Sequence, residues 1–125
     1  MPTVREVMRA DLISVRPGTP VMEAARAMFS GGGGSALVLD GGRLVGIFTE
    51  RDIMRALAKE ADPGRSSRVE RWMTADPDTI GPDATVGEAL DRMLSGHFRH
   101  LPVIEDDAVV GMVSMRDLAR SIAKT

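Results

Sequence analysis

Two short stretches of the chain combine a glycine, a hydroxyl side chain and an acid at the same spacing. Residues 46–52 read GIFTERD and residues 111–117 read GMVSMRD. In each stretch an apolar run typical of a strand leads into Thr or Ser, and an Asp follows three positions later. This spacing is that of a capping box, in which the hydroxyl residue begins a helix and the acid bonds back to it. Capping alone would account for both residue types, with a stabilisation of about 1 kcal/mol each.

The same geometry is suited to binding a phosphorylated nucleoside. A helix that begins directly after a strand presents free N–H groups and the positive end of its dipole to an anion. The hydroxyl could bond a phosphate oxygen, and the acid could accept both hydroxyls of a ribose, as acids do in dinucleotide-binding folds. Gly46 and Gly111 would allow close approach of a ligand or of a neighbouring strand. The pairs that would form such sites are Thr49 with Asp52 and Ser114 with Asp117.

The chain is an internal duplication. Gly111 lies 65 residues after Gly46, and this one offset applies along the chain without a gap. It pairs Met8 with Met73, Asp11 with Asp76, Pro17 with Pro82, Val21 with Val86, Glu23 with Glu88, Met28 with Met93, Val38 with Val103 and Asp52 with Asp117. A single offset that aligns both the apolar pattern and the glycines indicates a repeat. We predict two copies, residues 1–65 and 66–125, with ADPGRSS at 61–67 as the linker.

Each copy begins with an extended piece and an amphipathic helix. The extended pieces are Leu12–Val15 and Thr79–Ile80. The apolar residues that follow recur at i, i+3, i+4 and i+7, which predicts a helix with one buried face. Thr19-Pro20 predicts an N-cap and a first-turn proline for the first of these helices, and Thr85-x-x-Glu88 predicts a capping box for its equivalent.

Each copy then continues as two strands and a closing helix. Gly41-Gly42 and Asp106-Asp107 each separate two β-rich runs, which predicts hairpins. A unit of about 60 residues buries too little surface to be stable alone. We therefore expect an α/β (α+β) protein of two βαββα repeats that pack sheet against sheet with pseudo-twofold symmetry and leave two equivalent clefts.

Composition narrows the function classes. The chain has 125 residues and a formal net charge of −2, and no stretch concentrates enough Lys or Arg to suggest a nucleic-acid surface. It has no Cys and only two His, which argues against a thiolate or His-rich metal centre. The N-terminus lacks the apolar core of a signal peptide, and no run approaches a membrane span. Because no nucleophile–base pair can be placed either, we expect a cytoplasmic, non-catalytic protein without a catalytic cofactor, binding neither nucleic acid nor membrane.

On these motifs the chain resembles a tandem pair of cystathionine-β-synthase-type (CBS) domains, a Bateman module. The resemblance rests on the GhhT/SxxD element that closes each copy and on the LPV-type strand Leu101-Pro102-Val103, and it covers nearly the whole chain. It implies that the clefts between the copies bind adenosine-containing ligands, of the AMP, ADP and ATP class. It also implies a regulatory role, a homodimer, and a regulated enzyme or transporter as partner. A sensor of S-adenosylmethionine or NAD(H) and a ligand-free dimerisation or interaction module are the alternatives.

The resemblance also assigns roles to individual residues. The ribose-binding acids of the family match Asp52 and Asp117, the hydroxyls near phosphate or ribose match Thr49 and Ser114, and the apolar residues flanking adenine match Ile47 and Met112. Phosphate contacts fall on Arg51, Arg116, Arg99 and His100, and backbone contacts to the base fall on Ile13 and Asp78.

Copy one departs from the family pattern before its second strand. Where copy two has GHFRHLPV, copy one has GGGGSALVL, so that Gly34 and Ser35 stand in place of Arg99 and His100. A phosphate brings negative charge close to an ionised aspartate, and Arg–phosphate bonds are roughly twice as strong as neutral ones. We therefore expect the cleft that carries Asp117 to be the stronger site, by about tenfold or more.

Overall fold

The structure, a computed structural model, describes residues 1–60 and 66–124. The chain forms two compact units, one of Ile13–Pro77 and one of Met1–Leu12 with Asp78–Thr125. The first segment of the chain thus belongs to the unit built from the second copy. Residues 66–77, which are its repeat equivalent, belong to the unit built from the first copy. The repeat boundaries at 65 and 66 stay a prediction, and residues 61–65 of the predicted linker lie outside the described residues.

Most of the helices and strands that the repeat predicts are present, together with three shorter elements. The elements are α1 (Val4–Val7), β1 (Ser14–Val15), α2 (Val21–Gly31), β2 (Ser35–Asp40), β3 (Arg43–Thr49), α3 (Glu50–Lys59), α4 (Val69–Trp72), β4 (Thr74–Ala75), α5 (Val86–Gly96), β5 (His100–Glu105), β6 (Ala108–Ser114) and α6 (Met115–Ala123). This mixture of helices and strands, in two repeats, confirms the predicted fold class. The short elements α1, α4 and β4 were not predicted, because elements of two to four residues show no measurable hydrophobic period.

The unit of Ile13–Pro77 is built on a four-stranded sheet. The strand order is β1-β2-β3-β4, with β1 parallel to β2 and the other pairs antiparallel. Gly41 and Gly42 join β2 to β3 with φ angles of 59° and 83°, a left-handed conformation that glycine adopts without strain. The predicted first hairpin is therefore confirmed. Helices α2, α3 and α4 bury the core of this unit around Phe48.

The other unit repeats this sheet with shorter outer pairings. Strands β5 and β6 form a hairpin, and its tip at Asp106-Asp107 is exposed, as predicted. The counterparts of β1 and β4 are reduced to single bridges, Ile80 with Val103 and Arg9 with Met112. Proline accounts for the first reduction. Pro102 has no N–H, whereas Leu37 at the same place in β2 donates its N–H to the carbonyl of Ile13, directly before β1.

The amphipathic helices α2 and α5 bury the face that their period predicts. The buried positions are Val21, Ala24 and Met28 in α2, and Val86, Ala89 and Met93 in α5. Thr85 caps α5, since its hydroxyl accepts from the Glu88 N–H at 3.1 Å, but within the described residues no bond from the Thr85 N–H to the Glu88 side chain completes the predicted capping box. The predicted cap of α2 is wrong. Its N-cap is Pro20, and the Thr19 hydroxyl instead accepts from the Arg16 N–H at 3.0 Å, which closes the preceding turn.

Candidate functional site

The glycine of each repeated motif makes room for a neighbouring segment of the same unit. A Cβ built on Gly46 would lie 2.5 Å from Met73 Sδ and 3.0 Å from the Thr74 carbonyl oxygen, well inside van der Waals contact. A Cβ on Gly111 would meet Met8 in the same way. Of the two uses that the sequence left open for these glycines, the structure shows the close approach of a neighbouring strand.

The first acid of the repeat, Asp52, is buried and bonded through both carboxylate oxygens. Thr49 is the N-cap of α3, and its backbone N–H donates to Asp52 Oδ2 at 2.9 Å. The Thr49 hydroxyl donates to the same oxygen at 3.2 Å. Arg55, one turn further along α3, donates from Nη1 to Asp52 Oδ1 at 3.0 Å. The predicted capping box is present, and it is joined by an ion pair that the motif did not predict.

Trp72 holds the Arg55 guanidinium in place. The Arg55 Cζ lies 5.6 Å from the centroid of the Trp72 ring, within the range of a cation–π interaction. Arg55 Nη1 also lies 3.5 Å from the Trp72 carbonyl oxygen. The buried indole is itself fixed, because its Nε1–H donates to Ser67 Oγ at 2.6 Å and Arg71 lies over the ring at 5.3 Å. Trp72 lies 20 residues after Asp52 and outside both repeated motifs, so no local pattern in the sequence connects the two residues.

The carboxylate of the second acid, Asp117, accepts fewer hydrogen bonds than that of Asp52. The Ser114 N–H donates to Asp117 Oδ2 at 2.9 Å, and the Asp117 N–H donates to Ser114 Oγ at 3.1 Å, which completes the predicted capping box of α6. Asp117 is half-buried. Arg120 is the repeat equivalent of Arg55, yet no ion pair or hydrogen bond joins it to Asp117 in the described part of the chain. Val7 stands where the other unit has Trp72.

Arg99 and His100 lie at the same end of their hairpin as the start of α6. The Met115 N–H donates to the Arg99 carbonyl at 2.8 Å, and His100 pairs with Ser114 across β5 and β6. The Arg99 side chain is exposed. The other unit repeats the backbone arrangement with Gly34, which brings no charge. The structure thus brings these two predicted residues to the Ser114 end of the site.

The remaining residues of the two motifs occupy equivalent places. Ile47 on β3 and Met112 on β6 are largely buried. Arg51 and Arg116 are exposed in the first turns of α3 and α6, one residue before each acid. Both arginines thus lie in the first turn of a helix, one in each unit.

The two residues predicted to contact a base through their backbones differ from each other. The Ile13 carbonyl accepts from the Leu37 N–H at 2.9 Å. Asp78 holds the equivalent place in the other unit, but the residue equivalent to Leu37 is Pro102, which has no N–H to donate. Asp78 is exposed and lines an open hollow with Arg92.

Within residues 1–60 and 66–124, no cluster of three or more His, Asp or Glu side chains is arranged to hold a metal ion. Over the same residues, none of the helices has the length and apolar character needed to cross a membrane.

Comparison with known sequences identifies the repeat. The family model for the CBS domain matches the chain twice, over residues 4–59 and 69–124. A 17.7 kDa protein of Acidianus ambivalens is 40% identical over 122 residues, which cover 95% of this chain and 72% of that protein. Other curated relatives are much longer, since the chain spans only 15%, 21% and 20% of the next three.

Comparison with solved structures agrees with the sequence match. A CBS-domain protein from Burkholderia ambifaria is similar with a TM-score of 0.90 and 30% identity, over 98% of this chain and 94% of that one. A CBS domain pair solved with 5′-methylthioadenosine and S-adenosyl-L-methionine has a TM-score of 0.88 and 27% identity, over 99% and 98% of the two chains. The tandem repeat deduced from the 65-residue offset is thus a pair of CBS domains, and the chain belongs to the CBS domain family.

Proposed function

We propose that this chain is a regulatory module that binds an adenosine-containing ligand without chemical turnover. The observation that carries the proposal is the hydrogen bonding of the Asp117 carboxylate. Its Oδ2 is fixed by the Ser114 N–H at 2.9 Å, while within the described residues Oδ1 accepts no hydrogen bond. A carboxylate that is oriented in this way and still has accepting capacity is suited to the paired hydroxyls of a ribose.

The charges around Asp117 favour a phosphorylated ligand. The exposed side chains of Arg99 and Arg116 accompany the N-terminus of α6, which supplies the positive end of the helix dipole. We therefore propose AMP, ADP or ATP as the ligand class. The similar CBS pair solved with two adenosine-containing compounds supports the nucleoside part of this proposal. S-adenosylmethionine and NAD(H) are the alternative ligands.

A thermal-shift panel tests the proposal. AMP, ADP, ATP, S-adenosylmethionine, NADH and GTP are each added to the protein, and GTP serves as the control for base recognition. A ligand at 100 times its dissociation constant adds about 2.7 kcal/mol to the free energy of unfolding, which raises the Tm of a domain of this size by roughly 10 °C. The Asp117→Asn variant should lose most of this shift, since the amide keeps an oxygen for the Ser114 N–H but removes the charge. An unchanged Tm with every compound would contradict ligand binding, and formation of a reaction product would contradict the absence of turnover.

We further propose that the site of Asp117 binds more tightly than the site of Asp52. Gly34 replaces a cation beside the Asp52 site, and Arg55 already occupies one oxygen of that acid. Calorimetry with AMP should therefore show that Asp52→Asn keeps the tighter of the two binding events and that Asp117→Asn loses it. The AMP affinities of the two variants should differ by about tenfold or more. The reverse pattern would show that the assignment is wrong.

Exposed apolar side chains support a homodimer as the functional form. Phe29 on α2 is 90% exposed, and Met54 and Leu57 on the contacting helix α3 are also exposed. Leu94 on α5 repeats the position of Phe29 and is exposed as well. Large apolar side chains exposed on helices in this way are typical of an interaction surface, so we propose that two chains pair through these helices. Light scattering should give twice the 13.4 kDa of one chain, and Phe29→Lys should shift the mass towards a monomer.

The oligomeric state and the ligand panel together distinguish the main proposal from its alternative. A protein that dimerises but responds to none of the six compounds would be a ligand-free dimerisation or interaction module. In either case the output would pass to a regulated enzyme or transporter.

A further inference from the structure

The two acids of the repeat differ in what already binds them. The Asp52 side chain is 7% exposed, and Thr49 and Arg55 occupy its two oxygens at 2.9 and 3.0 Å. Asp117 is half-buried, and among the described residues its carboxylate accepts a hydrogen bond only from Ser114. A ribose hydroxyl that approached Asp52 would have to compete with a charged donor. Charge-assisted bonds of this kind are the stronger class of hydrogen bond.

The Arg55 guanidinium is held at three points. It pairs with Asp52 Oδ1 at 3.0 Å, lies 3.5 Å from the Trp72 carbonyl oxygen and sits 5.6 Å from the Trp72 ring centroid. The ring is buried and bonded to Ser67, so it forms a fixed surface under a side chain that is otherwise 48% exposed. An exposed ion pair normally loses stability because its long side chains must give up rotamer freedom. The Trp72 ring already restricts the Arg55 side chain, so forming the pair with Asp52 costs less entropy. We call this arrangement the Arg55–Trp72 clamp.

The repeat supplies an internal comparison for the clamp. Both copies carry an arginine at the same place after the acid, Arg55 in one and Arg120 in the other. The tryptophan, however, occurs in one copy only, because Val7 is the repeat equivalent of Trp72. In the part of the chain that the structure describes, Arg120 makes no ion pair with its acid. Since both copies carry the arginine, the difference in ion pairing between the two acids accompanies Trp72 and not the arginine itself.

We propose that the Arg55–Trp72 clamp sets the order in which the two sites fill, by closing Asp52 to the ligand until Arg55 leaves the ring. This inference rests on the proposed binding of an adenosine-containing ligand. It makes Arg55 a specificity-determining residue that acts by competition for the carboxylate. The Asp117 site, which lacks the clamp, fills first.

Calorimetry with AMP tests the clamp in a background where the other site is disabled. In Asp117→Asn, adding Arg55→Met should strengthen AMP binding at the remaining site by about tenfold or more, because Met keeps the apolar stem and removes the competing charge. In Asp52→Asn, adding Arg120→Met is the matched control and should leave AMP affinity within about twofold. Arg55→Lys should fall between wild type and Arg55→Met, since an ammonium lacks the planar fork that lies on the ring.

Fluorescence gives a readout that a merely structural role of Arg55 would not produce. Trp72 is the one tryptophan of the chain, and Arg71 also lies over its ring, so a change in emission on adding AMP reports the departure of Arg55. In Asp117→Asn, AMP should change the Trp72 emission along the same isotherm as the heat. In Asp117→Asn/Arg55→Met, AMP should bind without that change.

The outcomes separate this inference from the function on which it rests. If wild type binds AMP but Arg55→Met leaves the Asp52 site unchanged, the clamp is wrong and the proposed function stands. If Arg55→Met weakens binding there, Arg55 contacts the ligand and the clamp is again wrong. If neither wild type nor any variant binds AMP, the proposal of AMP binding fails, and with it the clamp as a barrier to that ligand.

Discussion

Substitution of Gly46 by alanine should destabilise the protein before any ligand is added. The new Cβ would lie 2.5 Å from Met73 Sδ and 3.0 Å from the carbonyl oxygen of Thr74. The thioether can move, but the carbonyl belongs to β4, which pairs with β3 at Gly46 and Ile47. Overpacking of this kind costs about 1–3 kcal/mol. A loss of about 2 kcal/mol would lower the Tm by roughly 8 °C in a chain of this size.

The measurement is thermal and urea unfolding of the ligand-free protein, with Gly18→Ala as the control. No described heavy atom lies within 4 Å of a Cβ on Gly18, so that variant should stay within about 0.5 kcal/mol of wild type. Removing the thioether as well, in Gly46→Ala/Met73→Ala, should cost less than the sum of the single changes, because the two side chains compete for one space.

The opposite result would identify a different role for this glycine. If Gly46→Ala unfolded like wild type without ligand but no longer bound AMP at the Asp52 site, the glycine would serve the approach of a ligand. The packing argument would then be refuted.

Three further predictions concern local interactions. Ser67→Ala leaves the buried Trp72 N–H without its acceptor, so it should lower the free energy of unfolding, measured in urea, by about 1–3 kcal/mol. The double variant Ser67→Ala/Trp72→Phe should cost less than the sum of the two single changes, because both remove the same hydrogen bond. Thr85→Ala should lose about 1 kcal/mol in the same assay, since the hydroxyl caps α5; an unchanged midpoint would contradict that role. The Arg9 guanidinium hydrogen-bonds Asp11 and lowers the pKa of that carboxyl below its ordinary 3.8, so an NMR titration should show the pKa returning towards 3.8 in Arg9→Gln. The stability that this pair adds is present above pH 3.8 and lost as the pH falls through the lowered pKa; it should also weaken in 1 M salt, because both groups are on the surface.

Local patterns in the sequence were sufficient for the repeat, the hairpins and the capping boxes. The turn at Gly41-Gly42 needs only two residues that accept a positive φ, and the box of Ser114 and Asp117 needs only a three-residue spacing. The buried face of α2 follows from a period of 3.6 residues. Interactions of this range are encoded within one turn of the chain, so their prediction does not depend on how the elements pack.

Contacts between distant segments could not be predicted in the same way. Arg55 and Trp72 are 17 residues apart, and they meet because α3 and α4 pack within one unit. The use of Gly46 depended likewise on which segment packs beside β3, and the sequence allowed either a ligand or a strand there. The membership of Met1–Leu12 in the unit of the second copy was also hidden, because a four-residue helix such as α1 carries no periodic signal of its partner. Each of these features is fixed by side-chain packing between elements, which a one-dimensional pattern does not encode.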